Sequence, residues 1–381
     1  MKAGEVTANR QSQFIERSRQ TLDRFLTGLD PAGPIAVLCH SDADGLAAGA
    51  ILVRALRRNG RAAHGVATGK AGSAWSPETL AFLRKEVPQA VGLVVCDLGV
   101  RSRPVWPGMA TLLLDHHYPA GLPDADGTLV ITGYDQQPIP TSGLIAYWAV
   151  TPPGEALFDP GPDSLGWIAA LSLLSDLGDK APFPLLSIEK KRWGASHLRE
   201  ATTLLNAPRR SSSGDPSPAF QLLLRCDHPR QIGDGASPES QALFAAKEEV
   251  DAAYNLAKRA APKFSGPVAM VRIHTPCQVH PLIAQIWRSR LPKYLVFAAN
   301  TGYRAGWVHF SARSRPGTNL LEFLREHRPA GADPELYGNG HDQAAGGALP
   351  FAIWNDFVQH LGFGLEVQVV EPEPNEGVNV P

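Results

Sequence analysis

The chain has 381 residues, of which 44% are hydrophobic and 19% charged, with a formal net charge of −1. This is the composition of an ordinary globular protein, and its length exceeds one hydrophobic core, so two domains are expected. No apolar run approaches the ~20 residues that span a bilayer, and the near-neutral charge argues against clamping long nucleic acid through many phosphate contacts, while leaving room for a short nucleotide in one local site.

The N-terminal stretch MKAGEVTANRQSQF lacks the apolar core of a secretory signal, so a cytoplasmic protein is expected. The four cysteines, at 39, 96, 226 and 277, have no paired metal spacing. Cys39 and Cys96 each close an apolar run and read as small core residues in a reducing compartment.

In chain order, PIAVLC (34–39) reads as a buried strand, followed by a loop and a helix LAAGAILVRALRRNG that stops at Gly60. VGLVVCD (91–97), TLLLD (111–115) and GTLVIT (127–132) are further strands, and SGLIAYWAV and LGWIAALSLLSD are helices. Short apolar strands alternating with helices imply a mostly parallel α/β sheet. A turn-rich middle region, 183–236, leads to a long charged helix predicted over 237–264, a natural connector. GPVAMVRI, KYLVFAAN and GWVHFSARS then read as strands around the helix HPLIAQIWRSRL. The polar, proline-bearing tail 366–381 is expected to be partly disordered.

Several of these elements end in polar residues. CHSDADG supplies His40, Asp42 and Asp44; VVCDLG supplies Asp97; LLLDHH supplies Asp115, His116 and His117; LSLLSDLGD supplies Asp176. In an open α/β sheet the ligand crevice lies outside the carboxyl ends of the strands, which is where these residues fall. Each has an ordinary explanation alone: Asp44 before Gly45 can cap the following helix, and a His–His pair can be mere decoration. Together, so many carboxylates would repel unless a cation were present. Carboxylates with imidazoles and no thiolate suit a pair of divalent ions sharing one carboxylate, with Mn²⁺ or Mg²⁺ favoured over structural zinc.

The order HSDADG, CDLG, LLLDHH, IAALSLLSDLGD resembles the DHH phosphoesterase superfamily, whose triplet stands here as Asp115-His116-His117. HPLIAQIWRSRL, VHFSARSRPGTNLLEFL and GNGHDQAAGG resemble the associated DHHA1 domain. The His-x-Asp-x-Asp-Gly loop and the LREATTLLNAPRR segment lean towards the RecJ-like nuclease branch. Gly338-Asn339-Gly340 departs from the consecutive glycines common in the family.

The resemblance implies an N-terminal DHH catalytic domain (1–195), an intermediate region and connecting helix (196–264), a smaller α/β DHHA1 substrate-binding domain (265–365) and a tail. It implies two Mn²⁺ ions, with Mg²⁺ the other choice. His40, Asp42 and Asp97 would hold one, Asp44, Asp97, His116 and Asp176 the other, so that Asp97 bridges. Asp115 would accept a ring N–H, and His117 would touch the scissile phosphate or protonate the leaving oxygen. Arg313 would fork onto a phosphate, with Gly338, Gly340 and His341 as a loop nesting it. Ser311, Asn206 and Arg209 are further substrate candidates. His280 is either a neighbour of the helix start or a substrate contact. Trp75, Trp106, Trp287 and Trp307 can stack bases or pack in the core.

The expected activity is hydrolysis of short single-stranded RNA or DNA. The extra nucleic-acid-binding domains of full-length bacterial RecJ are missing after the second domain, which adds to the expectation of short substrates. A phosphatase or phosphodiesterase for small nucleotides (3′-phosphoadenosine 5′-phosphate, linear or cyclic dinucleotides) is the rival chemistry, and a non-catalytic nucleic-acid-binding relative the rival class. No membrane partner is expected, and self-association is left open.

Overall fold

The computed structural model describes residues 3–70, 73–124, 127–151 and 164–370. By internal contacts the chain divides into two compact units. The first comprises residues 1–209 and 213–245, the second residues 210–212 and 246–381.

The first unit holds helix α1 (Ala3–Thr27), strand β1 (Ile35–Cys39), α2 (Ala43–Arg58), β2 (Ala63–Ala67), α3 (Pro77–Glu86), β3 (Gly92–Cys96), β4 (Thr111–Asp115) and β5 (Thr128–Thr132). It continues through α4 (Ser142–Val150), α5 (Gly166–Asp176), α6 (Pro184–Trp193), α7 (Ala195–Asn206), α8 (Ser217–Arg225) and the start of α9 (Pro238–Ala257). The five strands form one parallel sheet, ordered β2-β1-β3-β4-β5. Residues of β1, β3 and β4 are buried throughout, because helices cover both faces. Ile35, Val37, Val94 and Leu112 face a core shared with α1, α2, α4, α5, α7 and α8. Ala36, Leu38, Leu93 and Val95 face a smaller core with Trp75 and with Leu83 of α3.

The structure corrects the sequence reading at several places. α1, β2 and α3 are elements that the sequence pattern does not announce. The connecting helix stops at Ala257, not 264, and Lys263–Ser265 is instead a strand. Asp44 does not cap α2; Asp42 does, accepting the Gly45 N–H at 3.0 Å. α6, α7 and α8 of the turn-rich middle region belong to the first unit.

The second unit contains β6 (Lys263–Ser265), β7 (Val268–Ile273), α10 (His280–Arg290), β8 (Leu295–Arg304), β9 (Trp307–Arg313), α11 (Leu320–Glu326), β10 (Tyr337–Gly340), β11 (Ala344–Pro350) and α12 (Phe351–His360). Its mixed sheet runs β10-β11-β9-β8-β7-β6; β7 and β8 are parallel across α10 and the other pairs antiparallel. Residues 371–381 of the expected disordered tail lie outside the described residues. The start of that tail is not loose: Val367 is buried, the Trp354 indole donates to its carbonyl at 3.1 Å, and the Val369 N–H donates to Asn355 at 2.8 Å.

Close approach of α2 to β1 sets the depth of the site below. A Cβ on Gly49 would lie 2.8 Å from the Cys39 sulfur and 2.9 Å from its Cβ. Gly49→Ala should therefore cost about 1–3 kcal/mol of stability through overpacking, and adding Cys39→Ala should recover part of it. Denaturant titration of the single and double variants checks both.

Candidate metal centre

The order β2-β1-β3 places a topological switch between β1 and β3: the chain leaves β1 for β2 on one side, then crosses back to β3 on the other. Strand ends diverge at such a point and open a crevice. His40 follows the end of β1, Asp97 the end of β3, and Asp115-His116-His117 the end of β4. Asp42 and Asp44 begin α2 and Asp176 ends α5.

The structure brings these predicted residues together. The His40 Nδ1 stands 3.1 Å from Asp42 and 3.5 Å from Asp97. The His116 Nε2 stands 3.6 Å from Asp44, 3.5 Å from Asp97 and 3.5 Å from Asp176. The His117 Nδ1 is 3.7 Å from Asp97 and 3.0 Å from Asp115. Three overlapping donor groups result: His40, Asp42 and Asp97; Asp44, His116 and Asp176; Asp97, His116 and His117. Asp97 belongs to two of them.

Asp97 is the one non-glycine described residue with positive φ, 62°. A left-handed backbone is costly for most residues and tolerated best by Asp and Asn. Its N–H still donates to the Leu114 carbonyl at 3.0 Å, so the turn begins only after the sheet register is complete. The Ser142 hydroxyl donates to its carboxylate at 2.9 Å.

Ser142 and Gly143 support this cluster, and sequence reasoning missed both. The Gly143 and Ser142 N–H groups donate to the two Asp44 oxygens at 2.7 and 3.0 Å, so a fully buried carboxylate lies on the N-terminus of α4. That helix end carries partial positive charge and unsatisfied donors. A Cβ on Gly143 would sit 2.6 Å from Ser172 of α5, so only glycine lets the two helices close here. Asp-Gly and Thr-Ser-Gly pairs hint at such turns, but only the fold shows that they meet.

Electrostatics sorts the acids into two kinds. Asp115 takes the N–H groups of Gly99 at 2.7 Å and His117 at 2.6 Å as well as the His117 ring; burial opposes its ionisation, but these bonds outweigh it and lower its pKa. Asp42 is likewise driven well below the usual range, against burial, by His40 and Arg209. In the other direction, burial and the Asp97, Asp176 and Asp42 carboxylates push Asp44 well up. Burial with Asp42 and Asp97 raises Asp176 to about 6. Burial disfavours protonated His40, yet Asp42 and Asp97 prevail and raise it to about 10; Asp115 does the same for His117, to about 9.

A cation fits this set on a separate observation. The His116 Nε2 is buried with no hydrogen-bond partner, aimed among three carboxylates at distances too long for hydrogen bonds. The donors are oxygen and imidazole only, which suits Mn²⁺, Mg²⁺ or a similar divalent ion.

The other predicted site residues are placed as follows. The Asn206 amide is engaged inside the protein. Its oxygen accepts the Ala43 N–H at 3.2 Å and Arg209 at 3.3 Å, while its nitrogen donates to Thr202 and Ser175, tying α7 to the start of α2. Arg209 lies 3.9 Å from Asp42. In the second unit, Arg313 donates to Gln285 at 3.2 Å and to its neighbour's carbonyl at 2.9 Å. Ser311 is buried between Ala298 and Gly346, on the face of β9 shared with His309 and Arg313. His280 is buried at the start of α10, its Nδ1 unpartnered; burial, with His309 and Arg313, lowers it to about 3, so it is neutral. Gly338, Gly340 and His341 do not form an open loop: the glycines belong to β10, and the His341 N–H is taken by the Ala344 carbonyl at 2.8 Å in a tight hairpin. A Cβ on Gly340 would meet that carbonyl at 2.4 Å, so the glycine serves the turn. Trp75 is buried and its indole donates to the Arg103 carbonyl at 2.9 Å, which makes it a core residue.

No family model matches the chain and no curated protein matches it by sequence. Solved structures do match. RecJ from Thermus thermophilus, in complex with Mn²⁺, aligns over 90% of this chain and 54% of its own, at 19% identity and a TM-score of 0.64. An exonuclease RecJ bound to manganese aligns over 90% of this chain and 93% of its own, at 21% identity and a TM-score of 0.59. The chain shares the fold of these RecJ structures. A DHH domain described as a member of the s1p family of ribosomal proteins aligns over 94% of this chain and 97% of its own, at 13% identity and a TM-score of 0.61. The chain thus spans about half the length of the Thermus RecJ. No helix among the described residues is long and apolar enough to cross a membrane.

Two measurements test the centre. Cation binding must displace the protons held by His40 (about 10) and Asp176 (about 6), so divalent-ion affinity should rise with pH, by up to about tenfold per unit for each proton released, and collapse below 6. Calorimetry with Mn²⁺ across pH checks the sign. Ser142→Ala removes the hydroxyl that orients Asp97 and should weaken Mn²⁺ about 10–100-fold, while circular dichroism shows the fold retained.

Proposed function

We propose that the protein is a divalent-metal-dependent phosphodiesterase that hydrolyses short single-stranded oligonucleotides, RNA or DNA, with Mn²⁺ as the favoured ion. The observation that carries this reading is Asp97, which stands in one donor group with His40 and Asp42 and in another with His116 and His117, His116 in turn joining Asp44 and Asp176, and which is held in a left-handed turn at the switch point of the sheet. A single carboxylate between two cation-ready sets is the arrangement that two-metal hydrolysis requires. When bound, the ion pair supplies polarisation of a phosphoryl oxygen and a more acidic water. His40 and Asp42 would hold one ion, Asp44, His116 and Asp176 the other, and Asp97 both.

The protein's own residues do the remaining work. Asp115 fixes the His117 ring through Nδ1, and the ring is partly open to solvent, so its other nitrogen is the one placed to hand a proton to the leaving oxygen. Arg209 steadies Asp42, and Asn206 holds the loop that carries it. In the second unit Arg313, a rigid planar fork, is read as a grip on a substrate phosphate. The RecJ structures crystallised with Mn²⁺ support the metal assignment, and the near-neutral charge of the chain supports short substrates over long polyanions.

The test is turnover of end-labelled single strands, from dinucleotides to long RNA and DNA, at fixed salt with Mn²⁺. Efficiency is expected to peak at a few nucleotides, to vanish with chelator, and to fall by orders of magnitude in Asp97→Asn, which preserves the backbone conformation but not the bridging charge. Hydrolysis confined to small nucleotides would replace the oligonucleotide reading. Binding of strands with no metal-dependent turnover would make the protein a binding module.

A further inference from the structure

We propose that Tyr118 and Tyr134 form a corner that receives a nucleobase of the substrate beside the metal centre. The substrate class would then be a nucleotide rather than a bare phosphoester or polyphosphate; this rests on the phosphodiesterase reading above.

The two tyrosines are brought together by the sheet itself. Asp115 at the end of β4 pairs with Thr132 at the end of β5, and the Gly133 N–H donates to the Asp115 carbonyl at 2.9 Å. The chain then turns outward on both sides of this last rung. Tyr118 follows His117 directly, and Tyr134 follows Gly133. A Cβ on Gly133 would lie 2.8 Å from both Ile145 and Pro140, so the turn that presents Tyr134 has room only for glycine. The rings meet edge to face, with centroids 5.1 Å apart and planes at 81°.

Neither ring is needed by the core. Tyr118 is 67% exposed and Tyr134 36%, and neither belongs to a buried cluster of the first unit. Two rings at right angles leave a concave corner with one face to stack on and one edge to abut. Such a surface suits a flat heteroaromatic ring, which stacks without sequence preference. A phosphate, by contrast, gains nothing from it.

Position chooses among flat ligands. Tyr118 is one residue from His117, whose Nδ1 lies 3.7 Å from Asp97. A group stacked on the corner thus lies at the stretch of chain that carries His117, within reach of a phosphate joined to it through one sugar. A nucleotide joins a flat base to a phosphate through one sugar. Trp75 and Trp106 do not offer the same surface: the first is buried, and the second is partly buried with the Arg84 guanidinium 5.8 Å from its ring.

The experiment uses the full chain with Mn²⁺ and two readouts. Calorimetry gives the affinity ratio of a nucleoside 5′-monophosphate to ribose 5-phosphate, and kinetics gives the efficiency ratio of oligonucleotides with and without a single abasic position. Wild type should favour the base-bearing ligand by roughly tenfold in both. Tyr118→Ala should bring both ratios towards one, and Tyr118→Phe should keep them. No discrimination in wild type, or ratios unchanged in Tyr118→Ala with normal turnover, would overturn the corner alone. Turnover of no phosphodiester at all, with the affinity ratio still dependent on Tyr118, would refute the activity and keep the corner as a nucleotide-binding element.

Discussion

Five carboxylates, those of Asp42, Asp44, Asp97, Asp115 and Asp176, crowd the carboxyl end of one sheet, and their mutual repulsion in a buried space is the constraint around which the first unit is arranged. At close range and low dielectric such repulsion far exceeds what a few hydrogen bonds offset. The protein neutralises part of it from within. Asp115 has two N–H groups and a histidine, and Asp42 has His40 and Arg209, and both end below the usual carboxylate range. Asp44 shows where this stops. It has two N–H donors and a helix terminus, yet burial and three neighbouring acids still win. The deficit left at Asp44 and Asp176, with an unpartnered His116 nitrogen between them, is a demand for a cation.

Much of the scaffold follows from keeping that demand in place. Glycines stand where elements must close on one another: Gly45 against His40, Gly49 against Cys39, Gly143 against Ser172. Each brings an acid or its supporting helix nearer than a larger residue would allow. The left-handed turn at Asp97 belongs to the same set of constraints: it redirects a side chain that the strand register alone would aim elsewhere. Asn206 extends the support outward by fastening α7 to the first residue of α2.

What was legible in the sequence was what short-range pattern encodes. Continuous apolar runs located β1, β3 and β4, and the acids after them located the crevice, because strand ends in parallel sheets have a fixed meaning. What was not legible depends on partners distant along the chain. β2, Ala63–Ala67, is an edge strand carrying a histidine and a glycine, so its composition alone says little. α1 presents a narrow stripe of Phe14, Ile15, Leu22 and Phe25 among many charges. Ser142 and Gly143 look like an ordinary helix start until Asp44, almost a hundred residues earlier, is found on them. The glycine-rich stretch at 338–341 gave no sign of its strand pairing: it runs along β11, and Gly340 sits where a Cβ would meet the Ala344 carbonyl.

A fold shared at about 20% identity with RecJ carries chemistry less surely than it carries shape, and the distribution of constraint within this chain shows why. Within the acidic cluster, Asp44, Asp97 and Asp115 are buried and are held by helix and turn contacts, so a change in any of these three propagates into the core. Residues one step further out, such as Tyr118 after His117 and Tyr134 after Gly133, are exposed and free of those contacts. They can vary without disturbing the sheet. Selection for a particular ligand therefore acts with least structural cost on this outer ring, while the inner set is fixed by its contacts to the sheet and helices. Substrate class is for that reason to be sought in the chain just beyond the strand ends, where recognition can change while the chemistry stays.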